Sequence, residues 1–294
     1  MTPLDLVMLT PLISRTGGRT EVKIGLIDGP VSLDHPELAR ANVYAIRGNR
    51  SVACTQETSA ACFHGTFVAG ILCARRGSVA PAICPNCTLL VRPIFAEART
   101  AKAEMPVTTV EELAEAIVDC IAADAQVLNI SAALAQPSTK NDRVLADALD
   151  QAAKRGVLVI VAAGNQGIVG STTITRHPGV IPVVAYNYQR RPMDYSNLGS
   201  SIGRRGLGAP GESITSLRAH GDTLTLAGTS AAAPFVTGTV ALLWSLFPKA
   251  TVAQIKLAIT QPYARRRPTV VPPLLNAWDA FQDLLVTFTE GTSV

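Results

Sequence analysis

The run Asn141-Asp-Arg-Val-Leu-Ala-Asp-Ala-Leu-Asp-Gln-Ala-Ala-Lys-Arg155-Gly156-Val157-Leu-Val-Ile-Val-Ala-Ala163 decides the fold. Its first part repeats apolar residues at helical spacing and stops at Gly156, a natural helix terminator. Its second part is apolar without interruption, as a strand buried on both faces must be. A helix feeding such a strand is the unit of a parallel sheet covered by helices on both sides. Outward in both directions the same alternation recurs. Residues 22–27, 88–94, 127–130 and 180–185 read as further strands. Residues 64–76 are helical, with Phe67, Val68, Ile71 and Leu72 on one side. Thr109-Val-Glu-Glu112 has the form of a capping box and opens a helix carrying Leu113, Ile117, Val118 and Ile121. Residues 229–247, 253–259 and 276–285 complete the helices. The expected class is α/β, in three layers around a mainly parallel sheet.

The chain has 294 residues, 48% hydrophobic and 16% charged, which excludes a disordered chain. No long linker or internal repeat interrupts the alternation, so a single domain over 1–294 is expected. Its core would span about 22–260, with a proline-bearing tail over 261–294. The net charge of +4 is scattered apart from Arg265, Arg266 and Arg267, and aromatic residues supply 5%. That balance excludes a nucleic-acid surface. The longest apolar runs, 157–163 and 241–247, fall short of the roughly 18–20 residues of a membrane span. Residues 1–15 lack the pattern of a secretory signal, so a cytoplasmic location is expected.

Four segments carry chemistry. In Gly25-Leu-Ile-Asp28-Gly-Pro-Val31 an acid ends an apolar strand, and ligands gather at the carboxyl ends of parallel strands. Phe63-His64-Gly65-Thr66-Phe67-Val68-Ala69-Gly70 places a histidine beside glycines that let another backbone approach. Gly228-Thr229-Ser230-Ala231-Ala232-Ala233-Pro234 sets a serine at a helix N-terminus among small residues. Val159-Ile-Val-Ala-Ala-Gly-Asn165-Gln-Gly167 ends a strand in an asparagine able to donate to a developing oxyanion. Each alone has a bland reading: a turn Asp, a helix-start His, an N-cap Ser, a left-handed Asn. Together they supply what a weak serine nucleophile needs, a base and a carboxylate to orient it.

These segments resemble the subtilisin-like serine peptidases over residues 22–247. The resemblance implies Asp28 as orienting acid, His64 as general base and acid, Ser230 as nucleophile and Asn165 as oxyanion donor. It implies that Asn129-Ile-Ser131-Ala132-Ala133 pairs with an extended peptide substrate. Ala162, Ala163 and Gly164 would line the first specificity pocket, with Gln166 at its mouth. The sequence departs from the family pattern at Gly29, Ala133, Ala231 and Phe235, and none of these removes a triad atom. Leu26-Ile-Asp28-Gly-Pro-Val-Ser-Leu-Asp-His-Pro36 and Ala80-Pro-Ala-Ile-Cys-Pro-Asn-Cys87-Thr-Leu-Leu-Val-Arg-Pro-Ile-Phe95 are similar to the cyanobactin (patellamide-type) maturation proteases.

In that branch one enzyme removes a leader from a ribosomally made precursor peptide. A sister with an extra helical insertion between acid and histidine closes the ring. Residues 29–63 leave little room for the insertion, so a leader peptidase is expected. Residues 1–21 are too few for a folded pro-segment. The alternatives are a general intracellular subtilase, a transpeptidase or macrocyclase, and an inactive peptide-binding module. The expected partner is a peptide or precursor peptide. No cofactor is expected: calcium is common in the wider family, but Asp34, Glu37 and Asp194 do not have the spacing of a ligand loop. Of the six cysteines, Cys73 and Cys120 read as core residues. Cys54 with Cys62, and Cys84 with Cys87, lie in loops and can each be disulfides or free thiols. Cys84-Pro-Asn-Cys87 lacks the second Cys-x-x-Cys of a zinc site.

Overall fold

The computed structural model describes residues 1–46, 48–56, 58–97, 108–131, 142–260 and 269–290. In chain order the elements are α1 (Pro3–Leu6), α2 (Thr10–Ile13), β1 (Lys23–Asp28), β2 (Asn42–Ala45), α3 (Ala60–Cys73), β3 (Thr88–Pro93) and α4 (Val110–Ala122). There follow β4 (Val127–Ile130), α5 (Asp142–Lys154), β5 (Leu158–Ala162), α6 (Thr173–Arg176), β6 (Val180–Tyr186), α7 (Ser200–Arg205) and β7 (Leu207–Pro210). The last are β8 (Ile214–Arg218), β9 (Asp222–Leu226), α8 (Thr229–Leu246), α9 (Val252–Thr260) and α10 (Ala277–Glu290).

The strands form one seven-stranded sheet in the order β2-β3-β1-β4-β5-β6-β7, parallel at every pairing, beside a separate β8-β9 hairpin. β4, β5 and β6 are buried along their whole length, which is why they read as unbroken apolar runs. One face carries α3 and α8, whose Phe67, Ile71, Phe235 and Leu242 join a single buried cluster. The other carries α4 and α5, whose Leu113, Ile117, Leu145 and Leu149 join a second. The strand order reverses around β1 and β4, and a parallel sheet opens its ligand crevice at the carboxyl ends of such strands.

The apolar part of α8 is longer than the sequence reading allowed. It has 18 residues at mean hydropathy 1.3, enough to cross a membrane by length and composition, yet 89% of it is buried inside the protein. Pro234 lies within it. An interior proline costs about 3 kcal/mol. Complete burial of Phe235, Val240, Leu242 and Leu243 returns about 1.5–3 kcal/mol for each side chain, so the helix persists.

Thr109 caps α4 as expected, accepting from Glu112 N at 3.2 Å. The Glu112 carboxylate, however, accepts from the buried Arg92 guanidinium at 2.8 Å, and Arg92 also binds Asp119 at 2.8 Å. An isolated buried guanidinium is far costlier than an unmade cap, and the ion pair takes precedence.

Candidate active site

β1 delivers Asp28 to the crevice with no exposed surface. The chain then has to turn against the first turn of α3. At Gly29 an added Cβ would lie 1.9 Å from Ala61 O, and at Gly65 one would lie 2.4 Å from Gly29 O. Only glycine at both positions lets the two backbones meet, and that contact sets His64 over Asp28. His64 Nδ1 lies 2.7 Å from Asp28 Oδ1, which also accepts from Gly29 N at 2.6 Å. His64 Nε2 lies 3.0 Å from Ser230 Oγ. A carboxylate accepts only, so Nδ1 carries the proton and Nε2 is left to accept from the serine hydroxyl. Burial disfavours the imidazolium, but the charge of Asp28 and its hydrogen bond outweigh burial and hold His64 above its ordinary value.

Ser230 is the second residue of α8, in the first turn, whose N–H groups have no intrahelical acceptor. Gly228 caps the helix at φ 141°, a conformation that side-chain-bearing residues rarely adopt. Pro234 lacks the N–H that would bond Ser230 O. That carbonyl instead accepts from Ser131 Oγ at 3.4 Å. Behind it a relay runs in one direction: Thr237 Oγ1 donates to Asn129 Oδ1 at 2.8 Å, and Asn129 Nδ2 donates to Ser131 Oγ at 2.7 Å. The end of β4 is thereby fastened to the turn that bears Ser230.

Asn165 follows β5. Its Oδ1 accepts from Thr229 N at 2.9 Å and from Thr229 Oγ1 at 3.0 Å. Two donors on one atom fix that atom as oxygen, so Nδ2 remains to donate elsewhere. Gly164 N donates to the same Thr229 hydroxyl at 3.1 Å, with Gly164 at φ +104°. The buried Asn197 secures the rest of the segment. Its Oδ1 accepts from Gln166 N at 3.1 Å and Ile168 N at 3.2 Å, and its Nδ2 donates to Ala163 O at 3.2 Å and Gln166 Oε1 at 2.7 Å.

The structure therefore joins Asp28, His64 and Ser230 directly, ties Ser131 to the Ser230 carbonyl, and ties Asn165 and Gly164 to the neighbouring Thr229. Ala163 and Gln166 are bonded to Asn197, and Ala162 ends β5. Ala132 and Ala133 lie outside the described residues. The reading of the sequence missed Asn197, Thr229, Asn129 and Thr237 as supports. Thr229 sits inside a quoted motif, but nothing local to Asn197 announces bonds to residues some thirty positions earlier.

Asp34, Glu37 and Asp194 do not fall into one group of potential ligands among the described residues. Glu37 accepts from Arg75 Nε and Nη2, each at 3.0 Å, Asp34 accepts from Ser32 Oγ at 2.7 Å, and Asp194 is exposed. Among the described residues, the group that could hold a metal is Cys54, Cys62 and Glu97. Cys54 and Cys62 are joined as a disulfide. Cys84 and Cys87, left open by the sequence, are free buried thiols, as are Cys73 and Cys120. Burial pushes the Cys120 thiol up to about 12.

A sequence model of the subtilase family matches residues 19–271. Subtilisin NAT of Bacillus subtilis subsp. natto is 29% identical over 245 residues, covering 81% of this chain and 59% of the relative. Subtilisin of Bacillus pumilus is 29% identical over 245 residues, covering 81% and 82%. The chain thus spans about 59% of the length of several curated subtilisins that it matches. Among solved structures, a variant of the protease domain of PatA superposes with TM-score 0.83 at 29% identity, covering 92% of this chain and 97% of that one. Prenylagaramide maturation protease PagA superposes with TM-score 0.80 at 28% identity, covering 94% and 98%. The PatG macrocyclase in complex with peptide, at 20% identity and TM-score 0.78, shares the fold. With the family match covering most of its length and the parallel sheet matching these neighbours, the chain belongs to the subtilase family.

Proposed function

We propose that the protein is a serine endopeptidase that cleaves peptide bonds through an acyl-enzyme. The observation that carries this reading is His64 bridging Asp28 at 2.7 Å and Ser230 at 3.0 Å in one crevice. In the proposed reaction Ser230 Oγ attacks the scissile carbonyl carbon as its proton passes to His64 Nε2. Asp28 holds the ring and stabilises the imidazolium. Asn165 Nδ2 and Ser230 N–H receive the oxyanion, where one such donor contributes about 2.7–4 kcal/mol to the transition state. His64 then returns the proton to the leaving amine, and water resolves the acyl-enzyme by the same route reversed. The substrate lies extended along the end of β4 beyond Ser131. Every proton in this scheme passes through His64, so the scheme calls on no metal or cofactor.

We further propose that the substrate is a ribosomally made precursor peptide and that the cut releases its leader. Two neighbours support this reading: PagA, named as a prenylagaramide maturation protease, and PatA, named as a patellamide maturation protease. So does the connection from Asp28 to His64, whose described residues contain β2 and no helix ahead of α3. The test is incubation with synthetic precursor peptides that join a leader to a core, read by mass spectrometry. Separate leader and linear core are expected. A cyclised core would instead make the enzyme a macrocyclase, and binding without any cut would make it a peptide-binding module.

A further inference from the structure

The six cysteines divide by access. Cys73, Cys84, Cys87 and Cys120 are buried thiols, and Cys62 has no exposed surface. Cys54 alone is half-buried, and it is bonded to Cys62. Of the six cysteines, the one that solvent reaches is therefore bridged to Cys62, two residues ahead of His64 on the same helix.

That bridge ties residue 54 to the helix that carries His64. The ring it closes crosses the start of α3, where Ser59 Oγ accepts from Cys62 N at 3.2 Å. Its outer side is gripped by Glu97, whose carboxylate accepts from Thr55 N at 2.9 Å, Thr55 Oγ1 at 2.6 Å and Gln56 N at 3.1 Å. Glu97 stands just beyond β3, whose Pro93 lies in register with Asp28. The disulfide and Glu97 thus hold residues 54–56 between the helix of His64 and the exit of β3. The Glu97 carboxylate and both sulfurs lie within 4.8 Å of one another.

We infer that Cys54 is a thiol-exchange site, open to modification by a low-molecular-weight monothiol such as glutathione. The thiolate attacks Cys54 Sγ, the only face of the bridge it can reach, and forms a mixed disulfide there. The bond to Cys62 breaks, its electron pair leaves on the Cys62 sulfur, and that sulfur takes a proton from solvent. A second thiolate attacks the outer sulfur of the adduct. It releases the Cys54 thiol and the symmetrical disulfide of the reagent, so two reagent thiols supply both electrons. The departing Cys62 thiolate lies in the first turn of α3, where the helix N-terminus stabilises negative charge. Glu97 opposes that charge and slows the exchange. Opening the ring leaves residues 54–56 held by Glu97 and by Ser59 N–H, which donates to Gln56 O at 3.2 Å. The triad stays in place, because the contact of Gly29 and Gly65 positions His64 without the bridge. Substrate capture therefore weakens while the chemical step persists. This consequence rests on the peptidase reading; the exchange itself does not.

The test treats the folded, full-length protein with glutathione and maps adducts by peptide mass spectrometry. An adduct on Cys54 is expected, with Cys73, Cys84, Cys87 and Cys120 unmodified and with faster exchange in Glu97→Gln. KM for a peptide substrate should rise on the order of tenfold with kcat unchanged. Cys54→Ser should show the raised KM from the outset and no response to the reagent. Absence of an adduct on Cys54 in the folded wild type overturns the exchange site. An adduct with unchanged KM, or with kcat lost instead, overturns its consequence. If no peptide is cut at all, the peptidase reading fails, and the adduct map still decides the exchange.

Discussion

The two halves of the crevice are built in opposite ways. On the side of Asp28 and His64, position is set by backbone against backbone, with Gly29 and Gly65 leaving no room for a side chain. On the side of Asn165, position is set by polar side chains: Thr229 orients the amide, and Asn197 binds residues 163, 166 and 168. The first half is sensitive to volume. The second is sensitive to the loss of a donor or acceptor. Ser230 joins them, since the relay from Thr237 through Asn129 and Ser131 ends on its carbonyl.

Substitutions should separate the halves by what they damage. Asn165→Ala removes an oxyanion donor and should lower kcat by about 10²–10³ with little change in KM, measured on a chromogenic peptide. Stability should fall by about 1–3 kcal/mol at most, because Thr229 N loses its acceptor. Gly65→Ala forces a methyl to within 2.4 Å of Gly29 O. Stability should fall by about 1–3 kcal/mol in denaturant titration, and activity by about 10²-fold as the triad spreads. If Gly65→Ala melts like wild type, the volume argument for that half is broken.

Asn197→Ala should lower kcat roughly tenfold, the scale of one or two lost positioning hydrogen bonds. Asn197 acts through Asn165, so the double variant should be little worse than Asn165→Ala alone. Full additivity in that cycle would mean that Asn197 does not position the donor. The smallest effect is in pH. His64 must be neutral to accept a proton, and it is held above its ordinary value by Asp28. The acid limb of kcat/KM should therefore lie above about 6.5. In Asp28→Asn the raising influences vanish and burial remains, so the limb of the residual activity should drop below that value. The linked stability has the same sign. The His64–Asp28 interaction contributes fully below about 6.5 and is lost as pH rises through the folded value.

What the sequence displayed was whatever repeats along the chain or clusters locally. β4, β5 and β6 were legible because burial on both faces demands unbroken apolar residues. Asp28, His64, Asn165 and Ser230 were legible because each sits in a compact motif at the end of an element. β2 was not, since Asn42–Ala45 is a short edge strand only partly buried. β7 was not, because Leu-Gly-Ala-Pro carries residues that favour turns. The hairpin of β8 and β9 was not, because β9 is largely exposed and polar. The supports of the site stayed hidden for a different reason. Asn197 bonds residues 163–168, and Thr237 bonds Asn129, across separations that only the folded sheet closes. The choice of Cys54–Cys62 over Cys84–Cys87 was hidden likewise, for both pairs lie in loops and only three-dimensional placement separates them.

The central claim is that His64, held by Asp28, makes Ser230 a nucleophile. Covalent labelling by a fluorophosphonate probe, mapped by mass spectrometry, addresses it without knowledge of the substrate. Wild type should be labelled on Ser230, Ser230→Ala should not react, and His64→Ala should react far more slowly. Equal labelling of Ser230→Ala, or undiminished labelling of His64→Ala, would contradict the account.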